Sequence, residues 1–166
     1  MSAEYKEFKY FNSIYDKGIF CVVDEEPEFI DDFSIVVDDF FIEKSVHLDI
    51  HRKIDKFTLL PINWDGYNAL PLSKRVAEKS KEIIENLDMS FYENGKDFEI
   101  KPSPYSTVII DWYSGNSEFS LEIGNDSLGY FADGKLVKEV DKLDISTKEN
   151  ISKALAYVEN DLRQIF

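Results

Sequence analysis

Residues 108–140 constrain the fold more than any other stretch of the chain. Phe119, Leu121 and Ile123 alternate with Ser120 and Glu122, the period-two pattern of a strand with one face buried and the other wet. Val108-Ile109-Ile110 and Asp111-Trp112-Tyr113 precede it across a Ser114-Gly115-Asn116 turn, and Asn125-Asp126 marks the next turn. Asp133-Gly134 then separates 128–132 from 135–140, with a glycine that tolerates the positive φ a tight hairpin demands. Strands joined by turns this short run antiparallel, because a parallel connection needs a crossover of about a dozen residues or more. The spacing predicts an antiparallel meander over 98–140.

Helical periodicity flanks the meander. Val46, Ile50, Ile54 and Phe57 fall on one helical face, with Ser45 a candidate N-cap and Pro61 ending the helix. A connector over 62–72 leads to Ser73, which caps a second helix buried through Val76, Ser80, Ile83, Ile84 and Leu87. Ser146 and Glu149 have the spacing of a capping box, opening a last helix with the stripe Ile151, Leu155, Val158, Leu162 and Ile165. The expected class is α+β: an antiparallel sheet with about three helices packed on one face. Ahead of these, Gly18–Val23 and Phe33–Ile42 read as strands. The expected organisation is one domain over 1–166. Its part over 1–44 is β-rich and acidic; its part over 45–166 holds the helix–turn–helix, the meander and the C-terminal helix.

Composition narrows the function classes. Lys and Arg number 19 against 33 Asp and Glu, a net charge of −14, while 13 Phe, 9 Tyr and 2 Trp supply too much apolar surface for a disordered chain. Such acidity argues against duplex nucleic acid and anionic membranes, which take clustered Lys and Arg. The single cysteine, Cys21, excludes an internal disulfide and a Cys-rich zinc module, and its apolar neighbours make it a small hydrophobe. There is no secretory h-region and no apolar run of membrane-spanning length, so a cytoplasmic protein is expected. Nucleophile elbow, phosphate-cradling loop and dinucleotide fingerprint are all missing, and no catalytic residue or cofactor is assigned.

Three constellations carry candidate function. Between Lys17 and Lys44 lie nine carboxylates and no Lys or Arg. Asp24, Glu25, Glu26, Asp31, Asp32, Asp38 and Asp39, interleaved with Phe33 and Phe40, suit a basic protein partner. Charge would supply on-rate and the rings affinity, in the manner of an antitoxin, immunity protein or inhibitor. The plainer alternative is a solvated, solubilising face. The second constellation is the turn Asn63-Trp64-Asp65-Gly66-Tyr67, where Asp65 caps neighbouring amides while Trp64 and Tyr67 flank it. Together with Asp111 and Trp112 these residues would line a small-molecule pocket, as in a binder or hydrolase. Alternatively, the aromatics only anchor the connector. The third is His47 and His51, one helical turn apart with Asp55 beyond them, a candidate metal half-site or an ordinary helix border. An exposed sheet edge or the aromatic N-terminal strands also leave room for a homodimer.

The segment Asn63–Leu70 (NWDGYNAL), followed by Pro71 and Ser73, resembles the NWDGYGA-type signature of a group of small bacterial proteins. The resemblance spans roughly residues 46–140 and implies a helix before the motif, then a helix and an antiparallel meander. Asn68 stands where that pattern usually has Gly, and Asn is the side chain that best accepts left-handed backbone. The resemblance implies no catalytic residue. Because such proteins occur near mobile or defence-related genes, it implies an antitoxin-like or regulatory role.

Overall fold

The alternation in the sequence becomes a five-stranded antiparallel sheet in the order β1-β2-β3-β4-β5. The structure is a computed structural model and describes residues 46–92 and 97–166. Helix α1 covers 46–57 and helix α2 Lys74–Asn86, followed by a 3-10 turn, Met89–Phe91. The strands are β1 Asp97–Pro102, β2 Val108–Ser114, β3 Ser117–Ile123, β4 Ser127–Asp133 and β5 Lys138–Asp144, and α3 spans Lys148–Ile165. The chain is α+β with a meander sheet, as its periodicity predicts. Ser45 and the strands expected over 18–23 and 33–42 lie outside the described residues.

One face of the sheet carries the core. Ile100, Val108, Ile110, Trp112, Phe119, Leu121, Ile123, Leu128, Tyr130 and Ala132 are buried there, against Ile83 and Ile84 of α2 and Leu155, Val158 and Leu162 of α3. All five stripe residues named for α2 and all five named for α3 are buried. Trp112 sits at the centre, wholly buried, its indole N–H donating to the Phe91 carbonyl at 2.9 Å. A ladder of ring contacts runs from Tyr92 through Trp112 and Phe119 to Tyr130. The apolar body of each tyrosine is thereby used in packing, while the Tyr130 hydroxyl donates to Asp161.

Three boundaries differ from expectation. Helix α1 stops at residue 57, well before Pro61, because the amides of Thr58, Leu59 and Leu60 turn to carbonyls three residues back. The β4–β5 hairpin is wider than a two-residue turn: its last pair is Ala132 with Lys138, residues 134–137 form the loop, and β5 runs on to Asp144. A bulge between Leu128 and Tyr130 goes with this shift, and Gly129 permits it, since a Cβ there would lie 2.8 Å from the Asp141 carbonyl. Helix α3 is capped by Thr147, whose side chain accepts the Asn150 amide, and not by Ser146.

Candidate functional site

The connector folds on itself through its own side chains. Asn63, Gly66 and Asn68 all take positive φ, at 64°, 80° and 72°. Gly66 does so freely, and asparagine is the residue type otherwise most tolerant of that region. One Asp65 carboxylate oxygen accepts the amides of Tyr67 at 2.7 Å and Ala69 at 3.0 Å, and the Asn63 side chain accepts the Asn68 amide at 2.7 Å. The Trp64 indole donates to the Leu70 carbonyl at 3.1 Å. Ala69 and Leu72 plug the loop into the core, leaving Tyr67 87% exposed.

A second loop braces the first. In the β1–β2 turn Ser106 also takes positive φ, 63°. Its hydroxyl accepts the Ser73 amide and donates to the Pro71 carbonyl. Leu70 bridges to Tyr105 in parallel, its amide donating to Pro104. Strained backbone persists only where the surroundings over-determine it. Here it holds Tyr105, 81% exposed, beside the Tyr67 loop. Leu59, Ile62 and Leu70 are also exposed at this end. Neither helical nor strand periodicity singles out Tyr105, Leu70, Ile62 or Leu59. A tyrosine set among Ser103, Pro104 and Ser106 in a turn was the available signal.

The five pocket residues do not assemble. Trp64, Asp65 and Tyr67 share the connector, but Trp112 is core and lies towards the far end of β2 from the Tyr105 turn. Asp111, its chain neighbour, points to the opposite face of the sheet, where it pairs with Lys101 and accepts the Ser120 hydroxyl. A depression of about 570 Å³ lies instead between the β2–β3 turn and the β4–β5 loop, lined by Ser114, Gly115, Asn116, Ser117, Gly134 and Lys135.

Of the histidine constellation, the structure brings the two rings together but not Asp55. His47 and His51 do stack, rings 6.3 Å apart and 6° from parallel, with Tyr92 edge-on to His47. Asp55, however, is ion-paired with Lys81 of α2 at 2.6 Å, and the carboxylate nearest His51 is Glu85, at 3.5 Å. Burial pushes the His51 pKa down, with Glu85 opposing it. Among the described residues no group of three His, Cys, Asp or Glu is placed to hold a metal ion.

The outer face of the sheet is acidic. Glu99, Glu118, Glu122, Asp133, Glu139 and Asp141 project from it around Phe131, with Asp111 buried among them. The register sets Glu118 directly opposite Asp133 and Glu99 opposite Asp111. Like charges directly across a ladder destabilise it. Lys101, on this face with Lys142, is engaged by Asp111, and that contact pushes its pKa up. The acidic segment named in the sequence (Asp24 to Phe40) lies outside the described residues. Among the described residues no helix is long and apolar enough to cross a membrane. Compared with protein-family models, curated proteins and solved structures, the chain has no match in any of the three.

Proposed function

We propose that the chain is an acidic protein-binding module of the antitoxin, immunity or inhibitor kind, taking one basic protein partner stoichiometrically. The observation that carries this is the outer sheet face, where Glu118 stands directly opposite Asp133 and Lys101 is already engaged by Asp111. A partner bearing Lys and Arg would relieve that repulsion on binding, and the field of a −14 chain would speed its approach. The acidic run between Lys17 and Lys44 supplies nine of the 33 carboxylates behind that charge. The small-molecule reading has less support, because its lining residues fall on two faces of the sheet.

The test is capture by the purified, tagged chain from the cells that make it, at low and high salt. A basic protein should be retained in equimolar amount at low salt and released as the Debye length falls below about 8 Å. Reversing Glu118, Asp133 and Glu139 to Lys should abolish retention without unfolding the chain. Retention indifferent to both salt and charge reversal would refute the assignment.

A further inference from the structure

Of the large hydrophobic side chains exposed among the described residues, Leu59, Ile62, Tyr67, Leu70 and Tyr105 gather at one end of the fold. None is on the acidic face. Both loops that carry them are braced by side-chain hydrogen bonds and left-handed residues, so the two tyrosines are presented with little freedom left to lose. Rigid, protruding aromatics are the usual anchors of protein interfaces.

We infer that this end is a homodimer interface, in which Tyr67 of one copy packs on Leu70 and Tyr105 of a second copy, and the reverse.

Two features favour a second copy over another occupant. The first is size. Two tyrosines at 87% and 81% exposure offer on the order of 300 Å². With three exposed aliphatics added, the patch approaches the roughly 800 Å² that a standard interface takes from each partner. A two-fold arrangement needs only that one surface, used twice. The second is charge. Two bodies of charge −14 repel over most of their surfaces, yet the charges beside this patch are different. Lys56 lies just before Leu59, and Lys74 follows Ser73 at its contact with Ser106; both are exposed and make no ion pair among the described residues. The Asp65 carboxylate is taken up by amides of its own loop. Of the carboxylates at this end of the sheet, Glu122 is bonded by Thr107 and Asp126 is paired with Arg75. Lys56 and Lys74 are thus the free charges named beside the patch, and a dimer through it turns the outer sheet face of neither copy inward.

The test is the mass of the full chain in solution, by sedimentation equilibrium over a concentration series. Wild type should move to twice its 19.3 kDa as concentration rises. Replacing both tyrosines, Tyr67→Asp with Tyr105→Asp, should weaken association by at least about 100-fold, the scale of losing two aromatic anchors. Their exposure means the thermal midpoint of the monomer should hold, and Tyr67→Ser with Tyr105→Ser should give the same direction with a smaller effect. Tyr157→Asp, at another exposed ring, on α3, should leave the dimer intact. A wild type that stays at 19.3 kDa throughout would overturn the inference. So would a dimer that survives loss of both tyrosines, or one that Tyr157→Asp dissolves equally. Because no basic partner enters the measurement, its outcome is separate from that of the capture experiment.

Discussion

At the scale of single residues, the most consequential polar group is Asp161. It lies on the buried side of α3, where its carboxylate accepts the Tyr130 hydroxyl and pairs with Lys138 at 2.6 Å. Burial opposes its ionisation, but Lys138 and Tyr130 together outweigh that and hold its carboxyl below the usual range. Removing one partner of a buried network leaves the others unsatisfied, which costs more than the net worth of the bonds. Asp161→Ala should therefore destabilise the fold by about 3 kcal/mol. Asp161→Asn, which keeps an acceptor for Tyr130, should cost less. Urea unfolding of the two variants checks the order, and equal losses would show that shape, not hydrogen bonding, decides the site. No sequence period singles out Asp161, since an aspartate inside an apolar stripe is read as a boundary residue. Its role depends on Tyr130 and Lys138, which only the sheet register brings beneath it. The connector was more legible, because Asn63, Asp65, Gly66 and Asn68 are residues whose local backbone chemistry is self-contained. Trp112 and Asp111 fall on opposite faces of the sheet. Adjacent strand residues face opposite ways, so they line one pocket only if the strand bends.

Between elements, helix α3 is held by its two ends. At its start, Ser146 and Thr147 compete as caps, and Ser146 alone is followed three residues on by the Glu of a capping box. Thr147 wins because Asp144 accepts the Ser146 amide at 2.8 Å and the Asn150 side chain at 2.7 Å, fixing Ser146 before the first turn. Thr147→Ala should cost about 1 kcal/mol and Ser146→Ala close to nothing. Thermal unfolding of the pair distinguishes them, and the reverse order would restore the capping box. Towards its other end, Arg163 pairs with Asp88, which also caps the 3-10 turn by accepting the Ser90 amide at 2.9 Å. The Ser90 amide and then Arg163 bring the Asp88 pKa from 3.8 to about 2. A carboxyl depressed in the folded state stabilises it above the unfolded value and ceases to do so as pH falls through the folded one. Stability should accordingly drop as pH falls from 3.8 towards about 2, and Asp88→Asn should flatten the curve in that window. An unchanged slope in the variant would place the acid sensitivity elsewhere, with Asp161 the next group to test.

Across the whole molecule, the same carboxylates proposed to meet a partner should weaken the free fold. Glu118 faces Asp133 and Glu99 faces Asp111 across the ladder, and six acidic side chains share a face with Lys142 and the engaged Lys101. Selection for stability alone would not keep such pairs, whereas function commonly keeps groups that stability would discard. Added salt screens charges on an exposed face, so the unfolding free energy of the wild type should rise from low to physiological ionic strength. Glu118→Gln with Glu99→Gln should raise it by about 0.5–1 kcal/mol at low salt, and most of that gain should vanish once salt has screened the parent. The same double variant should bind a basic partner more slowly, since it loses part of the steering field and not a packed contact. Stability that ignored both salt and substitution would mean the repulsion is already relieved within the free chain. The acidic face would then have no unmet charge to offer a partner.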